Sequence, residues 1–284
     1  MTGDAVTIAA PAKVNLILRV LEREPGGYHQ IETVFQRLAL ADAVVVRPTG
    51  GARSLDIEFD GIRRAELGLP EENLAWRAAV AYREASGWPG GWAIELTKRI
   101  PAGAGLGGGS SDAAAVLRAL EQLAPTKIGA ARLHELASTL GADVAFFVSD
   151  APLAIGRGRG DTLRVLPALP PADVAIFVPD FPISTAEAYA DLAAARASAA
   201  PPRAAIRDRD DFTTWSAIAR RQENDFEATA FLRHPILRVQ RDGFVSRGAL
   251  ISRLSGSGST VFGLWSPTKA ELGLPNETLR TRTQ

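Results

Sequence analysis

Between Arg99 and Leu120 the chain reads RIPAGAGLGGGSSDAAAVLRAL. Glycines at 103, 105, 107, 108 and 109 precede two serines, Ser110 and Ser111, and the text then turns to alanine and leucine. A strand, a glycine-rich turn and a helix start bring unpaired backbone N–H groups and the positive end of a helix dipole to one spot, which makes an anion site. Glycine permits the close approach, because a side chain would stand where phosphate oxygens must go. Phosphate is therefore the favoured ligand. A dinucleotide fingerprint is formally present as Gly103, Gly105 and Gly108, but no acid follows on a second strand roughly 20 residues on. The P-loop reading fails because Ser110, not lysine, follows Gly109. A purely structural turn is disfavoured, since each unneeded glycine costs about 0.5–1 kcal/mol against alanine.

The elements that must hold this loop read as a mixed α+β chain. Apolar alternation in AVTIAA and VNLILRVL predicts two strands meeting at Pro11. A turn over Pro25 to Gly27 leads into a further strand, and AVVVRP and LDIEF read as separate strands. The spacing of Leu74, Ala78, Ala81, Tyr82 and Ala85 predicts a helix ended at Gly87. WAIELTKRIP is a strand stopped by Pro101, with Ser110 or Ser111 as the N-cap of the helix after the loop. A helix near 128–140 follows, then ADVAFFV as a buried strand with Asp143 at its entrance. PALPPADVAIFVP is a strand, STAEAYADL opens a helix that decays into an Ala/Pro connector, and Arg207 to Asp211 form a charged turn. Helical text resumes to about Val245, and ALISRLSGSGSTVFGLW predicts two strands around a Gly/Ser turn. The expected boundary lies near residue 160, giving domains 1–160 and 161–284.

Composition narrows the function classes. Lys plus Arg and Asp plus Glu both total 32, so no overall field would hold nucleic acid or an anionic membrane. Cysteine is absent, which removes disulfides and thiol chemistry. His29, His134 and His234 are far apart, with no zinc-like spacing, so no protein metal site is expected. No basic leader, and no run of 18 apolar residues, is present; the expectation is a cytoplasmic protein.

PAGAGLGGGSSDAA resembles the phosphate-binding motif of the galactokinase, homoserine kinase, mevalonate kinase and phosphomevalonate kinase superfamily, and PAKVNLIL and LSGSGSTVF resemble two further motifs of it. Within it, GGYHQIETVFQ and LGADVAFFV are most similar to the branch acting on a cytidine diphosphate conjugate of methylerythritol, in the non-mevalonate route to isoprenoid precursors. The resemblance runs from about Ala9 to Leu264. It implies a two-lobed small-molecule kinase: an N-terminal ATP-binding lobe like ribosomal protein S5 domain 2, a ferredoxin-like C-terminal lobe, and the active site between them. It implies transfer of the ATP γ-phosphoryl to a tertiary hydroxyl, with magnesium expected beside the nucleotide and Ser110 or Ser111 as the nearest hydroxyls.

Such a transfer needs an oriented hydroxyl, a proton acceptor and positive charge or N–H donors around the moving group. Matched to the family's motifs, Asp143 is the proton acceptor and Lys13 its cationic partner, with Asn15 on the same strand face. ATP falls to Pro101, Ala102, Gly103, Ala104, Gly105, Leu106, Gly107, Gly108, Gly109, Ser110 and Ser111, with Lys98 on the phosphates and Asn73 at the adenosine end. Tyr28 and His29 offer a stacking ring and a donor/acceptor ring to the pyrimidine, closed by Phe35 and Tyr189. Two features depart from the family: GRGRGD at 156–161 is more basic than the acidic glycine turn expected there, and the chain after Leu264 does not read as the closing helix and strand. A sister kinase for homoserine or a mevalonate derivative, or a silent nucleotide-binding protein, would share the loop but not require Tyr28 and His29.

Overall fold

In the computed structural model, residues 4–24, 26–62, 68–196, 206, 212–265 and 278–284 are described. The connector at 197–205, the charged turn at 207–211 and residues 266–277 lie outside them. No helix among the described residues is long and apolar enough to cross a membrane.

Compactness divides the chain into two interleaved units. The first comprises residues 1–12, 40–102 and 107–151; the second comprises 13–39, 103–106 and 152–284. Strands β1 (Val6–Arg23) and β2 (His29–Thr49) contribute residues to both. Each is one long strand where two were expected. At Pro11 the ring removes a single ladder donor, but its fixed φ lies within the extended region, so the strand continues.

In the first unit, Ala43–Thr49 of β2 pairs antiparallel with β4 (Gly91–Lys98), which pairs parallel with β3 (Arg53–Phe59). Among the described residues, the α-helices here are α1 (Leu74–Ser86), α2 (Gly108–Leu123), α3 (Ala130–Leu140) and α4 (Ala142–Val148). Left-handed Gly87 ends α1, as the sequence predicts; its start is capped by Asn73, expected at the adenosine end of ATP, whose side chain accepts from Ala75 N–H. The Tyr82 hydroxyl donates to Glu121 at 2.6 Å, fastening α1 to α2.

The second unit holds β5 (Leu153–Arg157), β6 (Thr162–Leu166), β7 (Asp173–Phe177), α5 (Thr185–Arg196), α6 (Trp215–Ala219), β8 (Glu223–Asn224), α7 (Glu227–Arg233), α8 (Pro235–Ser246), β9 (Ile251–Leu254), β10 (Val261–Trp265) and β11 (Leu279–Arg282). Thr33–Gln36 of β2 pairs antiparallel with β5, β5 with β6, and β1 takes β8 as a parallel partner. A four-stranded antiparallel sheet runs β11-β7-β10-β9. Its closing strand β11 shows that the atypical C-terminus still ends in a strand. Leu192 of α5, Phe231 of α7, Phe244 of α8, and Leu254 and Trp265 of the sheet pack into one buried cluster. Burial of side chains this large, about 1.5–3 kcal/mol each, holds these helices on the sheet.

Candidate functional site

The glycine loop is built in two parts. Gly103, Gly105 and Gly107 all have left-handed φ values of 65°, 77° and 75°. Alternating handedness of this kind turns successive N–H groups toward one concavity. Gly107, not Ser110 or Ser111, is the N-cap of α2. The glycine run itself turns the chain, so the helix begins at Gly108 and both serines fall in its first turn. Ser111 is 1 % exposed, and its Oγ has no hydrogen-bond partner among the described residues.

In the second unit, residues 103–106 dock on the turn between β9 and β10. Ser255 Oγ donates to Gly105 O at 2.8 Å, and Thr260 N–H donates to Ala104 O at 3.2 Å. A Cβ at Gly105 would run into Ser255 O and come within 2.9 Å of Gly258 O. Asn224 braces the same turn, its amide donating to Leu254 O and Gly256 O, each at 2.8 Å.

Lys13 joins this assembly. It is 3 % exposed; its Nζ donates to Gly105 O at 3.0 Å and to Asn15 Oδ1 at 2.8 Å, and its backbone N–H donates to Leu106 O at 2.9 Å. The Asn15 amide donates to Thr33 Oγ1, which donates to Ile17 O, both at 2.8 Å. Asn15 is buried and holds the Lys13 ammonium. Phe35 is buried, with Lys13 Nζ 5.9 Å from its ring centroid, and is not among the residues lining the aromatic cavity. Gly156 leaves it room, since a Cβ there would come within 2.8 Å of the ring.

Tyr28, His29 and Tyr189 do come together, around a cavity of about 550 Å³ that Arg23 and Arg159 also line. His29 and Tyr189 stack at 4.6 Å with an 18° interplanar angle, and Phe226 meets Tyr189 edge-on at 4.9 Å. Arg196 of α5 ties this helix to β1, pairing with buried Asp225 and donating to Val20 O at 2.6 Å. Burial, then the charges of Arg23 and Arg196, hold the His29 pKa below its ordinary 6.5, so the ring is neutral at pH 7.

In the first unit, Lys98 is held between two acids. Its ammonium pairs with both Asp42 and Asp112, all three buried. Burial works against the Lys98 charge, but the two carboxylates outweigh it and raise its pKa. Burial pushes Asp112 up to about 7, with the Asp42 charge adding to the shift and Lys98 opposing it. Asp42 Oδ1 also accepts from Ile100 N–H at 2.8 Å, so the triad pins the strand end that feeds the glycine loop to Asp112 of α2. Asp143 lies in the first turn of α4 and is half-buried, rather than at a strand entrance. A short apolar run is equally consistent with a buried helix, and a carboxylate suits a helix N-terminus. Among the described residues no group of three or more His, Asp or Glu could hold a metal ion unaided.

Comparison with known proteins places the chain among the small-molecule kinases of the GHMP class. The model for the GHMP kinases N terminal domain matches residues 73–151. A 4-diphosphocytidyl-2-C-methyl-D-erythritol kinase from Thermus thermophilus is 42 % identical over 259 residues, covering 90 % of this chain and 86 % of that protein. A crystal structure of a 4-(cytidine 5'-diphospho)-2C-methyl-D-erythritol kinase is 41 % identical with a TM-score of 0.73, over 91 % of this chain and 90 % of that one. The homoserine kinase of Cytophaga hutchinsonii shares the fold, at 21 % identity and a TM-score of 0.67, over 94 % and 86 % of the two chains. The chain belongs to the 4-diphosphocytidyl-2-C-methyl-D-erythritol kinase family.

Proposed function

We propose that this protein transfers the γ-phosphoryl group of ATP to the 2-hydroxyl of 4-diphosphocytidyl-2-C-methyl-D-erythritol, releasing ADP and the 2-phosphate, as a cytoplasmic enzyme of the methylerythritol phosphate route. The observation that carries the substrate assignment is the stacked His29–Tyr189 pair walling a cavity of about 550 Å³. A neutral imidazole beside stacked rings suits a pyrimidine edge; homoserine or mevalonate has no base to present to it.

In this reading the amides of 103–109 hold the ATP phosphates. The Lys13 ammonium, kept in one rotamer by Asn15 and Gly105 O, stabilises charge on the transferring group. Asp143 orients the hydroxyl and receives its proton, which in a loose transition state leaves late. Magnesium is expected with the nucleotide: the buried, unpartnered Ser111 Oγ is a hard oxygen of the type it prefers. When bound, the ion would offset phosphate charge. The ATP residues all fall within 1–160, taken as the nucleotide domain, whereas the base cavity draws on both 1–160 and 161–284.

The deciding assay offers the cytidine conjugate, homoserine and mevalonate side by side with ATP and follows ADP. Release with the conjugate alone is expected; release with homoserine or mevalonate would reassign the substrate, and none with any alcohol would leave only nucleotide binding.

A further inference from the structure

Asn224 is buried on the two-residue strand β8, paired with Leu18 of β1. Every polar group of its side chain is engaged. Oδ1 accepts from Phe226 N–H at 3.0 Å, and Nδ2 donates to Leu254 O and Gly256 O. With a donor before its oxygen and two carbonyls before its nitrogen, the amide has one orientation; turned over, it would set oxygen against oxygen. The carbonyls it grips belong to the residues on either side of Ser255. Ser255 Oγ donates to Gly105 O, and that same oxygen receives the Lys13 ammonium at 3.0 Å. Left-handed Gly256 keeps the turn close to both, since a Cβ there would stand 3.6 Å from Lys13 Nζ and 3.5 Å from Gly105 O.

We infer that Asn224 is a positioning residue for phosphoryl transfer: by gripping the carbonyls that flank Ser255 it fixes the hydroxyl that aligns Gly105 O, and through that oxygen it holds the Lys13 ammonium in place. The inference rests on the reading of Lys13 as the cation at the transferring group. Lys13 then has two supports of different origin. Asn15 stands two residues away on the same strand, whereas Gly105 O is set from β8. An ammonium on a flexible four-carbon stem swings about a single support; two supports fix its direction and reach. An apolar side chain of similar size at 224 would fill the space but leave both carbonyls without this donor.

The test is ADP release by the full-length protein at saturating ATP and cytidine conjugate, between pH 8 and 6.5, for the parent and its Asn224→Leu, Asn224→Asp and Lys13→Met variants. Rates are expressed per folded molecule, with folding followed by circular dichroism. Asn224→Leu is expected to lower kcat about tenfold while KM for the conjugate holds, because a small displacement away from the chemistry costs turnover rather than binding. In Asn224→Asp the new carboxylate faces two carbonyls. The acids of its own segment, Glu223, Asp225 and Glu227, are paired with Arg19, Arg196 and Arg253, and Lys13 lies across the turn. Only the protonated acid can donate, so kcat of Asn224→Asp relative to the parent should rise as pH falls, while the ratio for Asn224→Leu stays level. Parental kcat per folded Asn224→Leu, or a level ratio in Asn224→Asp, would make the residue merely structural and overturn the inference; loss of turnover in Lys13→Met alongside it would leave the Lys13 reading standing. Near-parental turnover in Lys13→Met removes the ammonium from the chemistry, and both readings fall together. Should Asn224→Leu not fold, the pH slope of Asn224→Asp decides; should neither fold, Asn224 serves folding alone and the inference fails.

Discussion

The ammonium of Lys13 lies 2.8 Å from Oδ1 of Asn15, and the same asparagine's amide donates to Thr33, which donates to Ile17 O. This directional chain fixes which way the Asn15 amide points, and so fixes Lys13 as a donor. Lys13→Met is expected to lower kcat by about 10²–10³-fold, the loss typical of one transition-state donor. Asn15→Leu should lower kcat by less, and Thr33→Val by less again, with KM for both substrates nearly constant. ADP release at saturating substrate checks the order; an Asn15 variant that raises KM for the cytidine conjugate at constant kcat would return Asn15 to the substrate.

Asp143→Asn keeps the shape and the helix-start position of the side chain but cannot take a proton. Turnover is expected to fall by about 10²–10⁴-fold, while both substrates still bind in equilibrium titrations. Near-normal turnover would remove Asp143 from the chemistry.

Gly105 is constrained twice, by a φ of 77° and by the carbonyls of Ser255 and Gly258 at its Cα. Gly105→Ala should destabilise the protein by about 1–3 kcal/mol and raise KM for ATP, because separating the two glycine turns also moves the carbonyl that holds Lys13. A melting temperature and an ATP KM both equal to those of the parent would contradict the docking argument.

How much of this was legible in the sequence depends on the range of the interaction. Gly87 and Pro101 act on their own neighbours, so the ends of α1 and β4 could be read locally. Asp143 could not be put on a helix, because ADVAFFV is too short for its period to speak. Asn15 and Phe35 were picked out by motif, yet what each touches is set by Thr33 and Gly156, 18 and 121 positions away, which no local spacing encodes. Arg159 was visible only as surplus charge in a glycine turn; its pairing with Tyr28 and Glu24 needed the fold.

Lys98 tests the same lesson energetically. Read locally, a lysine just before the glycine loop suggests a phosphate ligand; in the fold it sits between buried Asp42 and Asp112. Removing one partner from a buried ionic group leaves uncompensated charge, at about 3–5 kcal/mol. Lys98→Met is expected to lower the melting temperature strongly, with ATP binding by the remaining folded fraction little changed. Unaltered stability together with lost ATP affinity would restore the phosphate role.

His29 gives the pH dependence. Burial, Arg23 and Arg196 hold its folded-state pKa below the ordinary 6.5, so folding favours the neutral ring. The stability tied to that preference is intact above pH 6.5 and is lost as pH falls through the lowered folded value. The same sign governs binding if the neutral ring meets the pyrimidine. KM for the cytidine conjugate should stay flat from pH 8 down through 6.5 and climb only in more acidic solution, while KM for ATP does not follow it. Arg23→Gln removes one of the two cations that depress His29, so the climb should begin at higher pH; Arg196→Gln acts in the same direction but also frees α5 from β1. A climb already complete at pH 6.5 in the parent, or one absent from the conjugate and present for ATP, would show that His29 does not meet the base in its neutral form.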